Sequence, residues 1–157
     1  TETRISVKSL IEPLIERAKA RANLQGRQWF GPSEWPKWME SRSISEGVIA
    51  EIVANLLENA FRYSPPQSSI GIELVENGIC IWDEGIPINE EEREKIFEKG
   101  FRGESGSKMS GSGIGLALAR DLARQLGGDL KLVVNPIQFK KCLPESGNAF
   151  IFNLQPK

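Results

Sequence analysis

Between Ser45 and Tyr63 the apolar residues Val48, Ile49, Ile52, Val53, Leu56, Leu57 and Ala60 recur every three or four positions. That period puts them on one wide helix face, which must be covered by a second layer of structure. Ser45 stands where it can cap the helix. On another side Glu51, Asn55, Asn59 and either Arg62 or Tyr63 share the same spacing and form one polar stripe. Asparagine is a mediocre helix former, and a plain solvent face more often carries Lys, Glu or Gln. The stripe reads either as solvent face or as a set of ligands.

The flanking stretches supply the second layer. Ser6 to Ala22 repeats Leu10, Ile11, Leu14, Ile15 and Ala18 at helical spacing, with Pro13 predicting a kink or a start near Glu12. Gln25 to Ser43 holds Trp29, Phe30, Trp35 and Trp38 with Pro32 and Pro36. It reads as two short strands or an irregular aromatic segment, its tryptophans in the core rather than on a binding surface. Ile70, Ile72 and Leu74 alternate, Asn77-Gly78 is a hairpin signal, and Ile79-Cys80-Ile81-Trp82 forms the return strand. Asp83-Glu84-Gly85-Ile86-Pro87-Ile88 follows directly. Asn89 is then expected to cap a short charged helix over Glu90 to Glu98, with Ile96 and Phe97 inward. Leu130 to Val134 and Ala149 to Leu154 read as strands joined by a long polar loop or loose hairpin. The expected fold is α+β: a two-layer α/β sandwich, its sheet mixed but mostly antiparallel, with helices packed on one face.

One stretch remains. Gly103 to Gly115 reads G-E-S-G-S-K-M-S-G-S-G-I-G and runs into a helix whose expected inner face is Ile114, Leu116, Leu118, Leu122, Ala123 and Leu126, closed by Gly127-Gly128. Glycines let backbone N–H groups converge, and a helix start adds unpaired donors and a positive dipole end. This is the physics of a phosphate cradle, and also of a flexible loop that happens to precede a helix. Two familiar glycine loops do not fit. The Walker type needs Gly-Lys-Ser/Thr at its end, and the dinucleotide fingerprint needs a glycine where Leu116 stands.

Composition removes several function classes. The 157 residues contain no histidine, which excludes Ser-His and Cys-His nucleophile systems and the usual zinc sites. With 20 basic and 21 acidic residues interspersed, net charge is -1, and no basic face for nucleic acid or membrane is suggested. The two cysteines, Cys80 and Cys142, fit a reducing compartment better than a disulfide scaffold. No apolar run has the length of a transmembrane helix. A single domain over 1–157 is expected.

Four stretches then fall into a familiar order. Glu51 with Asn55-Leu56-Leu57-Glu58-Asn59-Ala60 resembles the N box of sensor histidine kinases. Asp83-Glu84-Gly85 resembles their G1 box, Ile96 to Arg102 their F box, and Gly111-Ser112-Gly113-Ile114-Gly115-Leu116 their G2 box. The set is similar to the catalytic and ATP-binding domain of these kinases, a branch of the GHKL superfamily with the Bergerat ATP-binding fold, and spans roughly Ser45 to Leu154. One departure stands out. The G1 box usually reads Asp-x-Gly-x-Gly, and the last glycine is here Pro87, which fixes φ and lacks a donor. Gly147 is the sole remnant of a third glycine box.

The resemblance implies a role for each residue. Asp83 accepts from the exocyclic amine of adenine, and Gly85 lets the ring approach the backbone. Ile86, Ile88 and Leu116 line an apolar slot, and Tyr63 packs against the nucleotide. Asn59 is the Mg²⁺ ligand, with Asn55 beside it as a second candidate, and Arg62 reaches phosphate oxygens. Phe101, Arg102, Lys108, Gly111, Gly113 and Gly115 belong to a lid, Lys108 being either a γ-phosphate contact or a solubilising charge. Asn55, Asn59 and Arg62 carry catalysis in this assignment. The implied activity is transfer of the γ-phosphoryl group of ATP to a histidine on a separate dimerisation domain, with a response regulator downstream. The chain would then be the C-terminal piece of a longer, homodimeric cytoplasmic kinase, its parent membrane-anchored or not. Two alternatives stand: an ATPase of the same superfamily driving conformational change, and a degenerate nucleotide-binding module without catalysis. Asn55 argues against the first, because relatives that hydrolyse ATP carry a glutamate there to activate water.

Overall fold

The computed structural model describes residues 4–41, 43–45, 48–98 and 115–154. Its first helix, α1, runs Val7–Leu24 from an N-cap at Ser6, whose side chain accepts the Ser9 N–H at 3.2 Å. Pro13 neither starts nor ends it, so the expected start near Glu12 is corrected: the cap lies upstream, and Val7, Ile11, Ile15, Ala18 and Ala22 are buried through the proline. The helix α3, Val48–Tyr63, is the one read from periodicity. Its start differs, since Ser45 belongs to the short strand β3, Ser43–Ser45, which pairs antiparallel with β1, Arg4–Ser6. A helix pattern carries no sign that Ser45 pairs with the distant Arg4. Seven residues of α3, from Ile49 to Phe61, are buried. At about 1.5–3 kcal/mol for each large side chain, burial outweighs the ~0.7 kcal/mol each asparagine costs in propensity.

The main sheet has the order β2-β4-β5-β7-β6. Its strands are β2 Trp29–Phe30, β4 Ile70–Val75, β5 Gly78–Asp83, β6 Asp129–Val134 and β7 Asn148–Asn153. Only β2 with β4 is parallel; the other neighbours are antiparallel. The Asn77 backbone turns the β4–β5 hairpin at φ 56. Strand alternation sends Ile70, Ile72, Leu74, Ile79, Ile81, Phe150 and Phe152 to the helix side, where they pack with α1 and α3. Trp29 and Trp35 pack against this core and Trp38 is buried in it, as expected of that segment, which also forms the short helix α2, Trp38–Ser41.

The opposite sheet face is covered as well. Cys80, Trp82, Ala149 and Ile151 form a second buried cluster with Leu143, joined by Phe139, both from the connection between β6 and β7. That connection was expected as a long polar loop or loose hairpin; β6 and β7 do pair antiparallel, Pro136–Gln138 forms a 3-10 turn, and Phe139 and Leu143 pack on the sheet face.

Two further expectations need correction. Glu90 to Glu98 is two 3-10 turns, Glu90–Glu92 and Lys95–Phe97, and Asn89 makes no side-chain cap bond. Three successive glutamates with no buried residue give the first turn nothing to pack, whereas Ile96 and Phe97 are buried as expected. In α4, Gly115–Gln125, the buried residues are Ala117, Ala119 and Ala123. Leu116, Leu122 and Leu126 only flank the core, and Leu118 is 40% exposed. Where α4 presses on α3, small side chains fit between the helices and larger ones are displaced to the edges.

Candidate functional site

The sheet and α3 together place Asp83. It is the last residue of β5 and is 3% exposed. Its Oδ1 accepts the Gly85 N–H at 2.7 Å in a local turn, and among the described residues no hydrogen bond reaches its other oxygen. Burial is the main reason its carboxyl is pushed up to about 7; the Gly85 bond and the positive charge of Arg27 pull the other way. Gly85 has no room for a side chain, because a Cβ would sit 2.6 Å from Asp83 Oδ1 and 3.1 Å from the Tyr63 carbonyl oxygen. The end of α3 and the loop after β5 are therefore in contact.

Along α3 the polar stripe runs beside the buried face. Glu51 is exposed, while Asn55, Asn59, Arg62 and Tyr63 are half-buried. Arg62 pairs with Glu58 at 3.4 Å, and Arg21 holds the same carboxylate at 2.8 Å. Such exposed pairs are worth about 0–1 kcal/mol, so Arg62 is easily released to an anion. The first residue of α4 comes up to this stripe: a Cβ on Gly115 would lie 3.5 Å from Asn55 Oδ1. A helix N-terminal turn is a favourable place for anions, and this one lies beside Asn55. Leu116 and Ile88 both pack against the main core, and Ile86 is 69% exposed on the loop between them and Asp83. Phe101, Arg102, Lys108, Gly111 and Gly113 lie outside the described residues.

Two residues of the site were not found from sequence. Arg27 is buried under the end of α3 and donates to Ser64 Oγ at 2.7 Å, the Pro65 carbonyl at 3.1 Å and the Phe61 carbonyl at 3.2 Å. It sits where a cation offsets the negative helix end, and nothing in its local sequence announces it. Asn148 is buried at the start of β7, opposite Asp83 in register, and bonds to the backbone of Ile86 and Ile88. The adjoining Gly147, seen only as a remnant of a glycine box, was the available signal. At φ 125 it packs so closely that a Cβ would collide with the Asp83 carbonyl oxygen.

Asn55 and Asn59 offer amide oxygens, which are hard ligands. Among the described residues no group of three or more Cys, Asp or Glu is arranged to hold a metal ion. The donor set fits an ion such as Mg²⁺ that takes one or two protein oxygens and completes its shell with phosphate and water. A cavity of about 460 Å³ lies elsewhere, lined by Glu34, Trp38, Leu74 and Lys140 among others.

This arrangement has counterparts. A family model described as histidine kinase-, DNA gyrase B-, and HSP90-like ATPase matches residues 45–157. Sensor histidine kinase Hik2 of Thermosynechococcus vestitus is 39% identical over 128 residues, covering 76% of this chain and 32% of that protein. The swarming motility regulation sensor protein RssA of Serratia marcescens is 33% identical over 117 residues, 71% of this chain and 23% of its own length. The chain thus spans a third or less of the length of these relatives. Among solved structures, a mycobacterial sensor histidine kinase MprB superposes with a TM-score of 0.70 at 23% identity, over 100% of both chains. The catalytic domain of histidine kinase ThkA gives 0.68 at 22% identity, over 98% of this chain and 97% of that one. The fold is that of a histidine kinase catalytic domain. The chain belongs to the histidine kinase-, DNA gyrase B- and HSP90-like ATPase family, as a catalytic and ATP-binding domain of the histidine kinase type.

Proposed function

We propose that this domain binds Mg-ATP and donates the γ-phosphoryl group to a histidine on a separate dimerisation domain, within two-component signalling. The observation that carries the reading is the buried Asp83 at a strand end, one oxygen tied to Gly85 in the loop that touches the end of α3, while Asn55 of the same helix meets Gly115 of α4. Asp83 reads the adenine amine, a charge-assisted bond of about 1.5–3 kcal/mol. Ile86, Ile88, Tyr63 and Leu116 supply apolar contact to the base. Arg62 takes phosphate oxygens, leaving Glu58 to Arg21. Mg²⁺ bound by Asn59, with Asn55 beside it, would supply neutralisation of phosphate charge. Phe101, Arg102, Lys108 and the glycines Gly111, Gly113 and Gly115 serve as the lid.

Phosphoryl transfer needs positioning and charge neutralisation more than a covalent partner from this domain. The bond between the γ-phosphorus and its bridging oxygen breaks, an imidazole nitrogen takes the phosphoryl group, and ADP leaves. With no histidine in the 157 residues, the acceptor is supplied from outside them. Asn55 has no basic oxygen with which to activate water, which favours transfer over hydrolysis. The parent is taken as a homodimeric kinase acting in the cytoplasm on a response regulator. Among the described residues no helix is long and apolar enough to cross a membrane.

Calorimetric titration with Mg-ADP tests the base reader. Asp83→Asn is expected to weaken binding about tenfold or more. The second arm adds Mg-ATP and the histidine-bearing domain of the full-length chain. Phosphohistidine should form there, and binding without transfer would reject the kinase reading.

A further inference from the structure

Asn148 is 5% exposed, and its side chain makes two bonds to one loop. Its Nδ2 donates to the Ile86 carbonyl oxygen at 2.9 Å, and its Oδ1 accepts the Ile88 N–H at 3.0 Å. The bonds straddle Pro87, which has no N–H of its own. On the near side the same loop is held by the Asp83–Gly85 turn, and Gly147, just before the strand that begins at Asn148, presses on Asp83. Ile88 beyond Pro87 packs against the core, but Ile86 at the loop's middle is mostly exposed and adds little packing. Both hydrogen-bonding ends of a buried amide are thus committed to the shape of one turn. The proline lies at the turn's centre, where the second glycine of an Asp-x-Gly-x-Gly loop would stand.

We propose that Asn148 is a positioning residue for the adenine side of the site. By clipping Ile86 to Ile88 across Pro87, it holds the loop after Asp83 in its nucleotide-receiving shape before nucleotide arrives. The proposal rests on the reading of Asp83 to Ile88 as the wall of the base pocket. Ordering a loop costs backbone entropy, and a loop ordered in the free protein spares the ligand that cost. Pro87 works the same way, by narrowing the states of the free loop. The two devices are therefore coupled. With the clip present, relaxing Pro87 to glycine changes little; with it absent, the same change frees the whole turn.

The test uses the 157-residue chain with Mg-ADP titrations and amide hydrogen exchange. In the ligand-free protein the Ile88 amide should be protected in the wild type and lose protection in Asn148→Ala. Mg-ADP affinity should fall about tenfold in Asn148→Ala and by an intermediate factor in Asn148→Ser, whose hydroxyl keeps a donor and an acceptor but on a single atom and a shorter side chain. Leu143→Ala, which loosens the far sheet face, is the control and should bind Mg-ADP as the wild type does. Should the alanine variant not fold, the serine variant carries the comparison. Pro87→Gly should cost more affinity in the Asn148→Ala background than alone. Unchanged Mg-ADP affinity in the Asn148 variants overturns the proposal, as does equal loss in Leu143→Ala or strict additivity with Pro87→Gly. A wild type that protects Ile88 yet binds no Mg-ADP rejects the nucleotide reading and leaves the clip as structure only.

Discussion

Burial and one short turn govern the chemistry of Asp83. Its carboxyl is held up at about 7, against an ordinary value near 3.9 in an unfolded chain. Between those values the folded protein binds more protons than the unfolded one, so the Asp83 contribution to stability falls as pH rises from about 4 to 7 and is level above. Asn is neutral at every pH. Asp83→Asn should therefore gain melting temperature relative to the wild type, and by more at pH 8 than at pH 5, in parallel thermal melts followed by circular dichroism. Nucleotide binding should respond in the opposite direction. The adenine amine favours the ionised carboxylate, so wild-type affinity for Mg-ADP should drop between pH 8 and pH 6 more steeply than that of the variant. Parallel slopes would argue against Asp83 as the reader of the base. The residue type and its place at a strand end were legible in the sequence. Its protonation was not, because the protein that desolvates it comes from α3, β7 and the segment before β2.

At the scale of elements, α3 carries most of the proposed site residues and depends on a residue from outside it. Arg27 satisfies the carbonyl oxygens of Phe61 and Pro65 and the Ser64 hydroxyl, where a helix end would otherwise leave buried acceptors unpaired. Its guanidinium also faces the Phe61 ring at 5.5 Å. Arg27→Met keeps the length of the side chain but none of these bonds. A loss of about 2–4 kcal/mol is expected, read as a lower urea midpoint with an unchanged slope. The apolar period made α3 plain in the sequence, because one helix face records its own burial. In α4 the period rightly put Leu116, Leu122, Ala123 and Leu126 on the core side, but it included the exposed Leu118 and missed Ala117 and Ala119, which are buried although leucine is the more hydrophobic residue. Which side of a helix is pressed against a neighbour depends on how closely the two axes approach, and that distance is absent from either segment taken alone.

The whole molecule is a sheet covered on both faces by different means. One face meets helices; the other is sealed by Phe139 and Leu143 from the connection between β6 and β7. Glu73 lies on that second face, buried, with Ser33 at 2.7 Å and Lys140 at 3.6 Å supplying its partners. Leu143→Ala should leave a cavity beside Trp82 and cost about 2–5 kcal/mol in urea denaturation. The proposed site lies on the helix side, so Mg-ADP affinity should be retained wherever the variant is folded. Loss of stability and affinity together would place the support of the loop after Asp83 in the far sheet face rather than in Asn148.

The sequence by itself determined the helix α3, the β4–β5 hairpin, the α+β class and the family, because each rests on local periods, turn residues and short motifs read in order. It also placed Asn55, Asn59, Asp83 and Gly85, whose residue types suit oxygen ligation, amine recognition and close backbone approach. Tertiary structure alone decided the strand order with β2 parallel at the edge, the covering of the second face, the cation under α3 and the amide across Pro87. Each of these joins residues distant in the chain. Arg27 meets Ser64, and Asn148 meets Ile86, only after the sheet has assembled, and no local pattern encodes a contact whose two halves are separately unremarked.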